Sequence, residues 1–468
     1  MNNIRLIVFS SVFAAAVSAF GAAPKYVFLF IGDGMSVPQR MTANEFSIKT
    51  TGHPLEMNQL PVSGLCRSCS ADSLVTDSAA AATALACGVK TKNHYTGVNA
   101  AGEPVESCAE MAKRAGRKVG IMTTVTITHA TPAGFYAHNR NRGDTEAIVK
   151  DLAKSGFDYF AGGGFGVDLK KSKAYEEVAA AGYRMVSHRD DFRALKSGDG
   201  KVCATFGNWS LENDIDYDES LDQPRIRELL AKAVELLDGD AGFFIMCEGG
   251  RIDWSAHGND SATNLRDVLA LNEAVKVALE FQKRHPDDTL IIVTGDHETG
   301  GMSMGFAGTA YSLFTENLTN QTMSVGRFNA ETKKIVLEKK LAVAFDDVKP
   351  LITRGFGLLF TGDAKTNPMV MNKKELASLE EAFEHDVRLL KQGVKETDDY
   401  MAKLRYTLGN ACRTVIMHKS GVDWSSGAHT ALPVLVTASG AGAESFTGFY
   451  ENNEIGIRLK AMYAEDVK

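Results

Sequence analysis

Two hydrophobic patterns alternate along this chain. Continuous apolar runs at 25–31, 119–124, 243–248, 290–297 and 434–437 are each closed by a small or polar residue. Runs of this kind predict strands buried on both faces, as in parallel sheets. Between them, Ile226, Leu229, Leu230, Ala233, Leu236 and Leu237 recur at helical spacing, as do Leu265, Val268, Leu269, Leu271, Val275 and Leu279. Strands alternating with helices of this length predict an α/β fold, a three-layer α/β/α sandwich around a mainly parallel central sheet. Ligands of such sheets gather at the carboxyl ends of the strands, where Asp33, Glu248, Asp296 and His297 fall.

Three stretches break the alternation. Residues 1–21 carry one cation, Arg5, then an apolar run and small residues, the pattern of a secretory signal peptide. Residues 22–468 then form the catalytic domain, and a periplasmic or secreted location is expected. Between about 302 and 426 long charged helical stretches such as 372–405 take over and no ligand constellation occurs, so this segment reads as a large helical insertion into the core. The glycine-rich 157–166 does not fit a dinucleotide fingerprint and reads as a strand and a tight turn.

Composition, at 44% hydrophobic and 23% charged, is that of a globular protein, and a net charge of −7 argues against nucleic acid as a partner. Beyond the leader no stretch is apolar enough to anchor the chain in a membrane. The seven cysteines are scattered, and the half-knuckle Cys66-Arg67-Ser68-Cys69 has no second pair to complete a zinc site.

Within this frame the polar residues become chemistry. Thr76-Asp77-Ser78 opens a run of alanines that Gly88 closes, which predicts a short helix with Ser78 at its N-terminus. Asp and Ser are ordinary helix caps, but a serine there also faces unsatisfied N–H groups that favour an anion. Asp253 and His257 stand four apart, a spacing that suits paired metal ligands. Together with Asp33, Glu248, Asp296, His297 and His429 they make four carboxylates and three imidazoles at one sheet edge, a set suited to two zinc ions and one harder ion such as Mg²⁺. Arg140 and Arg142 offer a cation for phosphate oxygens, and Asp77 could hold the guanidinium.

Gly32-Asp33-Gly34-Met35, Thr76-Asp77-Ser78-Ala79-Ala80, His129-Ala130-Thr131-Pro132-Ala133-Gly134, Glu248-Gly249 with Ile252-Asp253, Asp296-His297 and His429-Thr430 occur in the order found in alkaline phosphatases, which the chain resembles over about 24–300 and 425–463. The resemblance implies a phosphomonoesterase with Ser78 as nucleophile and Arg142, oriented by Asp77, as phosphate clamp. It implies Asp253, His257 and His429 on one zinc, and Asp33, Asp296 and His297 on a second that Ser78 also meets. Asp33, Thr131 and Glu248 match the magnesium site, which His129 reaches through water. The His129 and Trp254 pair resembles one bacterial subset, for which weaker magnesium retention is expected. A homodimer is also implied. A phosphodiesterase on the same metal core and a catalytically silent phosphate-binding protein are the rivals. Diesterase relatives usually have Thr as nucleophile and lack the third-metal acid and the Arg clamp, and a silent protein should have lost Ser78 or a zinc ligand.

Overall fold

Every residue of β1 (Tyr26–Gly32) is buried in this computed structural model, and its alternating side chains divide between two apolar layers. Tyr26, Phe28 and Phe30 enter one layer, and Val27, Leu29 and Ile31 the other. The structure describes residues 23–168, 170–392, 407–464 and 466–467. The expected leader at 1–21 and the end of the charged stretch, from 393 on, lie outside them.

The strands are β1, β2 (Val62–Arg67), β3 (Lys118–Thr123), β4 (Tyr159–Gly162), β5 (Tyr183–Val186), β6 (Lys201–Thr205), β7 (Phe243–Gly249), β8 (Thr289–Gly295), β9 (Glu298–Thr299), β10 (Met302–Met304), β11 (Val422–Trp424), β12 (His429–Thr430), β13 (Val434–Gly440) and β14 (Gly448–Glu451). Ten of them form one sheet in the order β14-β2-β13-β8-β1-β7-β3-β4-β6-β5. The run at 434–437 was expected to behave like the others, but β13 lies antiparallel to both β2 and β8. Burial on both faces looks the same in either direction, so the apolar run carries no sign of the reversal.

The longer helices are α1 (Val37–Thr51), α2 (Ser78–Cys87), α3 (Cys108–Arg114), α4 (Thr145–Ser155), α5 (Ile226–Leu237), α6 (Arg251–His257), α7 (Ser261–Arg284), α8 (Val325–Glu338), α9 (Lys349–Phe356), α10 (Lys373–Lys391), α11 (Leu408–Ser420) and α12 (Asn453–Tyr463). Helices α1, α5 and α7 pack on the Phe28 face, and α2, α3, α4 and α12 on the Val27 face, which completes the three layers. Phe328, Phe356, Leu379, Phe383 and Cys412 of the 302–426 segment join the Phe28 layer. The two ends of that segment meet, because β10 and β11 pair antiparallel.

Helix α2 is buried along its whole length, as its alanines require. A Cβ added at Gly456 of α12 would fall 2.5 Å from the Gly88 nitrogen, so the two helices meet backbone to backbone. This close packing fixes the C-terminal end of α2 against α12.

Candidate active site

Parallel strands β1, β7 and β8 end side by side, with Gly32 in register with Gly249 and Gly295. Asp33, Glu248 and Asp296-His297 therefore emerge at one edge, and all four are fully buried. Helix α6 follows β7 and carries Asp253 and His257. The two-residue ribbon of β9 and β12 brings His429 opposite Thr299. Ser78 arrives from the other layer as the first residue of α2, with Asp77 as its cap.

The twelve residues singled out from the sequence converge here. Asp253, His257 and His429 form one group: His257 Nε2 lies 3.4 Å from Asp253 Oδ2 and 3.2 Å from His429 Nε2, and His429 Nε2 lies 3.6 Å from Asp253 Oδ1. His257 stands at the mouth with 39% of its side chain exposed. In a second group, His297 Nε2 is 3.3 Å from both Asp33 Oδ1 and Asp296 Oδ2 and 3.2 Å from Ser78 Oγ. The His297 ring also stacks on His429 at 3.8 Å, which joins the two groups. The third group is looser, with His129 Nδ1 3.7 Å from Asp33 Oδ2 and 3.8 Å from Glu248 Oε1, and Thr131 Oγ1 3.4 Å from Asp33 Oδ2.

These groups fit cations and little else. Asp33 Oδ1, Asp296 Oδ2, His129 Nδ1 and both Glu248 oxygens are buried without a hydrogen-bond partner. Uncompensated buried carboxylates are costly, so such an edge calls for positive charge. Burial, and then the carboxylates of Asp296, Asp253 and Glu248, push the Asp33 carboxyl well above the usual range against the pull of Arg142. Burial likewise raises Asp296 well above that range, although the Gly34 and His297 N–H groups oppose it. Burial, followed by His429, Arg142 and His257, holds His297 well below the ordinary imidazole value, so its ring is neutral. Carboxylate oxygens and a neutral imidazole are the donor set of divalent metals.

Beside them stands a fixed guanidinium. Asp77 Oδ1 accepts from the Ala80 N–H at 2.9 Å, while Oδ2 accepts from Arg142 Nη1 at 3.1 Å and from the His94 N–H at 2.9 Å. Arg142 Nη2 lies 3.2 Å from His129 Nε2. Arg140 turns away and donates to the carbonyls of Gly102 and Ala101. Cys66 is buried in β2, its thiol pushed up to about 12 by burial, and Cys69 faces Glu451 and Lys90, so this pair takes no part in the site.

One residue escaped the sequence reading. Thr299 Oγ1 donates to Asp253 Oδ1 at 2.6 Å and lies 3.3 Å from His297 Nδ1. With the hydroxyl proton committed to Asp253, the oxygen accepts from His297 Nδ1–H, which leaves Nε2 unprotonated toward Ser78, Asp33 and Asp296. Gly34, at φ 69°, makes room: a Cβ there would meet Thr299 Oγ1 at 2.8 Å and Asp253 Oδ1 at 2.9 Å. A lone hydroxyl gives no signal in a single sequence, although standing two residues after a strand-end histidine was a usable hint.

A hydroxyl at a helix N-terminus, a clamped guanidinium and an edge of carboxylates and imidazoles define a metal-dependent phosphoryl-transfer hydrolase. The sequence profile of the alkaline phosphatases matches residues 24–160 and 166–464. Alkaline phosphatase 3 of Bacillus subtilis (strain 168) is 32% identical over 402 residues, which take in 84% of this chain and 78% of that protein. Among solved structures, the cold-active alkaline phosphatase of the psychrophile Shewanella sp. superposes with a TM-score of 0.78 at 28% identity, over 94% of this chain and 99% of that one. The enzyme of the Antarctic bacterium TAB5, solved as a histidine-to-aspartate mutant with Mg bound in its M3 site, matches with a TM-score of 0.64 at 25% identity over 94% and 98% of the two chains. The chain belongs to the alkaline phosphatase family and is a metal-dependent phosphomonoesterase.

Proposed function

We propose that Ser78 is the nucleophile and that hydrolysis passes through a phosphoserine. The observation that carries this is the position of Ser78 Oγ, 3.2 Å from the unprotonated Nε2 of His297 at the N-terminus of a fully buried helix. Asp253, His257 and His429 would hold one zinc, Asp33, Asp296 and His297 a second, and Asp33, Thr131 and Glu248 a magnesium, with Ser78 completing the second zinc site. When bound, such cations make a serine hydroxyl and a water nucleophilic near neutral pH and offset charge on the leaving oxygen. Ser78 Oγ attacks phosphorus and the P–O bond to the alcohol breaks in line with it. Water then cleaves the phosphoserine, which frees inorganic phosphate and restores Ser78. Arg142, held by Asp77, donates to the non-transferring oxygens throughout. The residues given roles here would all act on the phosphoryl group, which supports broad use of monoesters.

His129 Nδ1 stands too far from Asp33 and Glu248 for a direct bond but suitably for a bridging water, so His129 serves the magnesium site from a distance. The 1–21 pattern supports export to the periplasm or beyond, the 302–426 segment is an insertion into a single catalytic domain, and family membership supports a homodimer. Among the described residues no helix is long and apolar enough to cross a membrane. Sequencing the N-terminus of exported protein and weighing it in solution test these; an uncleaved leader or a monomer counts against them.

The deciding experiment is p-nitrophenyl phosphate hydrolysis with added Zn²⁺ and Mg²⁺, with bis(p-nitrophenyl) phosphate as control. Turnover of the monoester should drop by about 10³ or more in Ser78→Ala. Activity indifferent to Ser78, or a preference for the diester, would overturn the assignment.

A further inference from the structure

His138, four residues before Arg142, commits both ring nitrogens to acceptors. Nδ1 lies 2.6 Å from the Gly97 carbonyl oxygen and Nε2 2.9 Å from Glu110 Oε1. Neither acceptor has a proton to give, so both ring nitrogens donate and the ring is an imidazolium. Glu110 is itself fixed in the capping box of α3, accepting from the Ser107 N–H at 2.7 Å, and Ser107 Oγ donates to the Phe135 carbonyl at 2.6 Å.

Gly97 ends a short ladder that leads to the site. Thr96 and Asn139 exchange two backbone bonds of 2.8 Å, and the Arg142 N–H donates to the His94 carbonyl at 2.9 Å. The His94 N–H in turn donates to Asp77 Oδ2, the oxygen that also receives Arg142 Nη1. His94 has φ 71°, an uncommon conformation for a residue other than glycine, held by those two bonds.

Resting on the reading of Arg142 as the phosphate clamp, we infer that His138 is a positioning residue for that clamp. Its ring pins residues 94–97 against 138–142 and so fixes where the Arg142 guanidinium stands. The bond to Glu110 outweighs burial and lifts the His138 ring up to about 9. Burial pushes Glu110 up, but His138 and the Ser107 N–H outweigh it and leave its carboxyl below the usual range. The groups facing His138 are Glu110 of α3, the Gly97 carbonyl, and Asp151 of α4, which accepts the His138 backbone N–H at 3.1 Å. A raised imidazole acts below its folded value and is lost above it, so the lock holds at neutral pH and loosens as pH rises through about 9.

The test is the inhibition constant of inorganic phosphate on the metal-loaded enzyme, for wild type, Arg142→Ala, His138→Gln and the double variant, across pH. His138→Gln should raise that constant and KM roughly fivefold at neutral pH with a smaller change in kcat, and add nothing once Arg142 is gone. Its difference from wild type should shrink above about pH 9. Glu110→Gln should shift the constant the same way, and it carries the test if His138→Gln lacks a cooperative melt. A phosphate constant unmoved by these variants while Arg142→Ala raises it, an additive double variant, or an effect that persists unchanged at high pH overturns the inference. If Arg142→Ala itself leaves the constant unchanged, the clamp reading falls first and takes the inference with it.

Discussion

The strand-edge site and the segment between β10 and β11 handle charge in opposite ways. At the site, Asp33, Glu248, Asp253 and Asp296 are buried together, and three of the four have carboxylate oxygens with no partner. Between β10 and β11 acids of the described residues mostly meet bases: Lys339 pairs with Asp347 at 2.7 Å, Lys419 with Glu375 at 3.0 Å and Arg327 with Glu331 at 3.7 Å. Both regions pack apolar residues against the same layer, so they differ in polar bookkeeping and not in hydrophobic content. A fold tolerates uncompensated buried charge only where something bound completes it. Among its described residues that segment leaves one buried carboxylate oxygen, Glu316 Oε2, without a partner, whereas the site leaves four.

Removing the metals should separate the two regions most sharply. Chelation should abolish turnover and lower the melting temperature. Asp33 and Asp296 have raised carboxyl values in the bare fold, so its stability is fully present below the unfolded value, about 4, and falls as pH rises. The difference in melting temperature between loaded and stripped protein should therefore widen from about pH 5 to about pH 8. A difference that narrows with rising pH would contradict the picture.

Smaller effects follow from the site's supports. Thr299→Val removes the hydroxyl that links Asp253 to His297 at nearly constant volume, and zinc affinity, read by competition with a chromophoric chelator, should fall about 10- to 100-fold. Unchanged affinity would show that the link is idle. His129→Asp replaces a distant imidazole with a hard oxygen donor, and magnesium affinity in a titration of the stripped protein should rise by about tenfold; no rise would mean that His129 does not limit magnesium. Between β10 and β11, Glu375→Gln breaks the pair with Lys419 and should cost about 1 kcal/mol or less in denaturant unfolding, with turnover intact. A loss of turnover there would tie this segment to the chemistry.

What the sequence made legible follows from the same contrast. Asp33, Glu248 and Asp296-His297 could be read because each ends a continuous apolar run, and every residue of β1, β7 and β8 is buried. The α2 helix could be read because alanine, an acidic cap and a closing glycine agree. The reversed direction of β13 could not be read, since a short apolar run has the same pattern either way. Strand β2, half-exposed in its pattern and interrupted by Gly64, offered neither a continuous run nor a clean alternation. Thr299 bonds Asp253, and His138 bonds Gly97 and Glu110, partners far along the chain that a single sequence does not pair.

The central claim is that a phosphoryl group passes through Ser78. The most direct measurement is acid quenching of the metal-loaded enzyme with phosphate or a monoester, followed by peptide mass spectrometry. The account predicts one added phosphoryl group, on the peptide containing Ser78 and on that residue. A phosphoryl group on another residue, or steady turnover with none trapped on Ser78 under any quench condition, would contradict it.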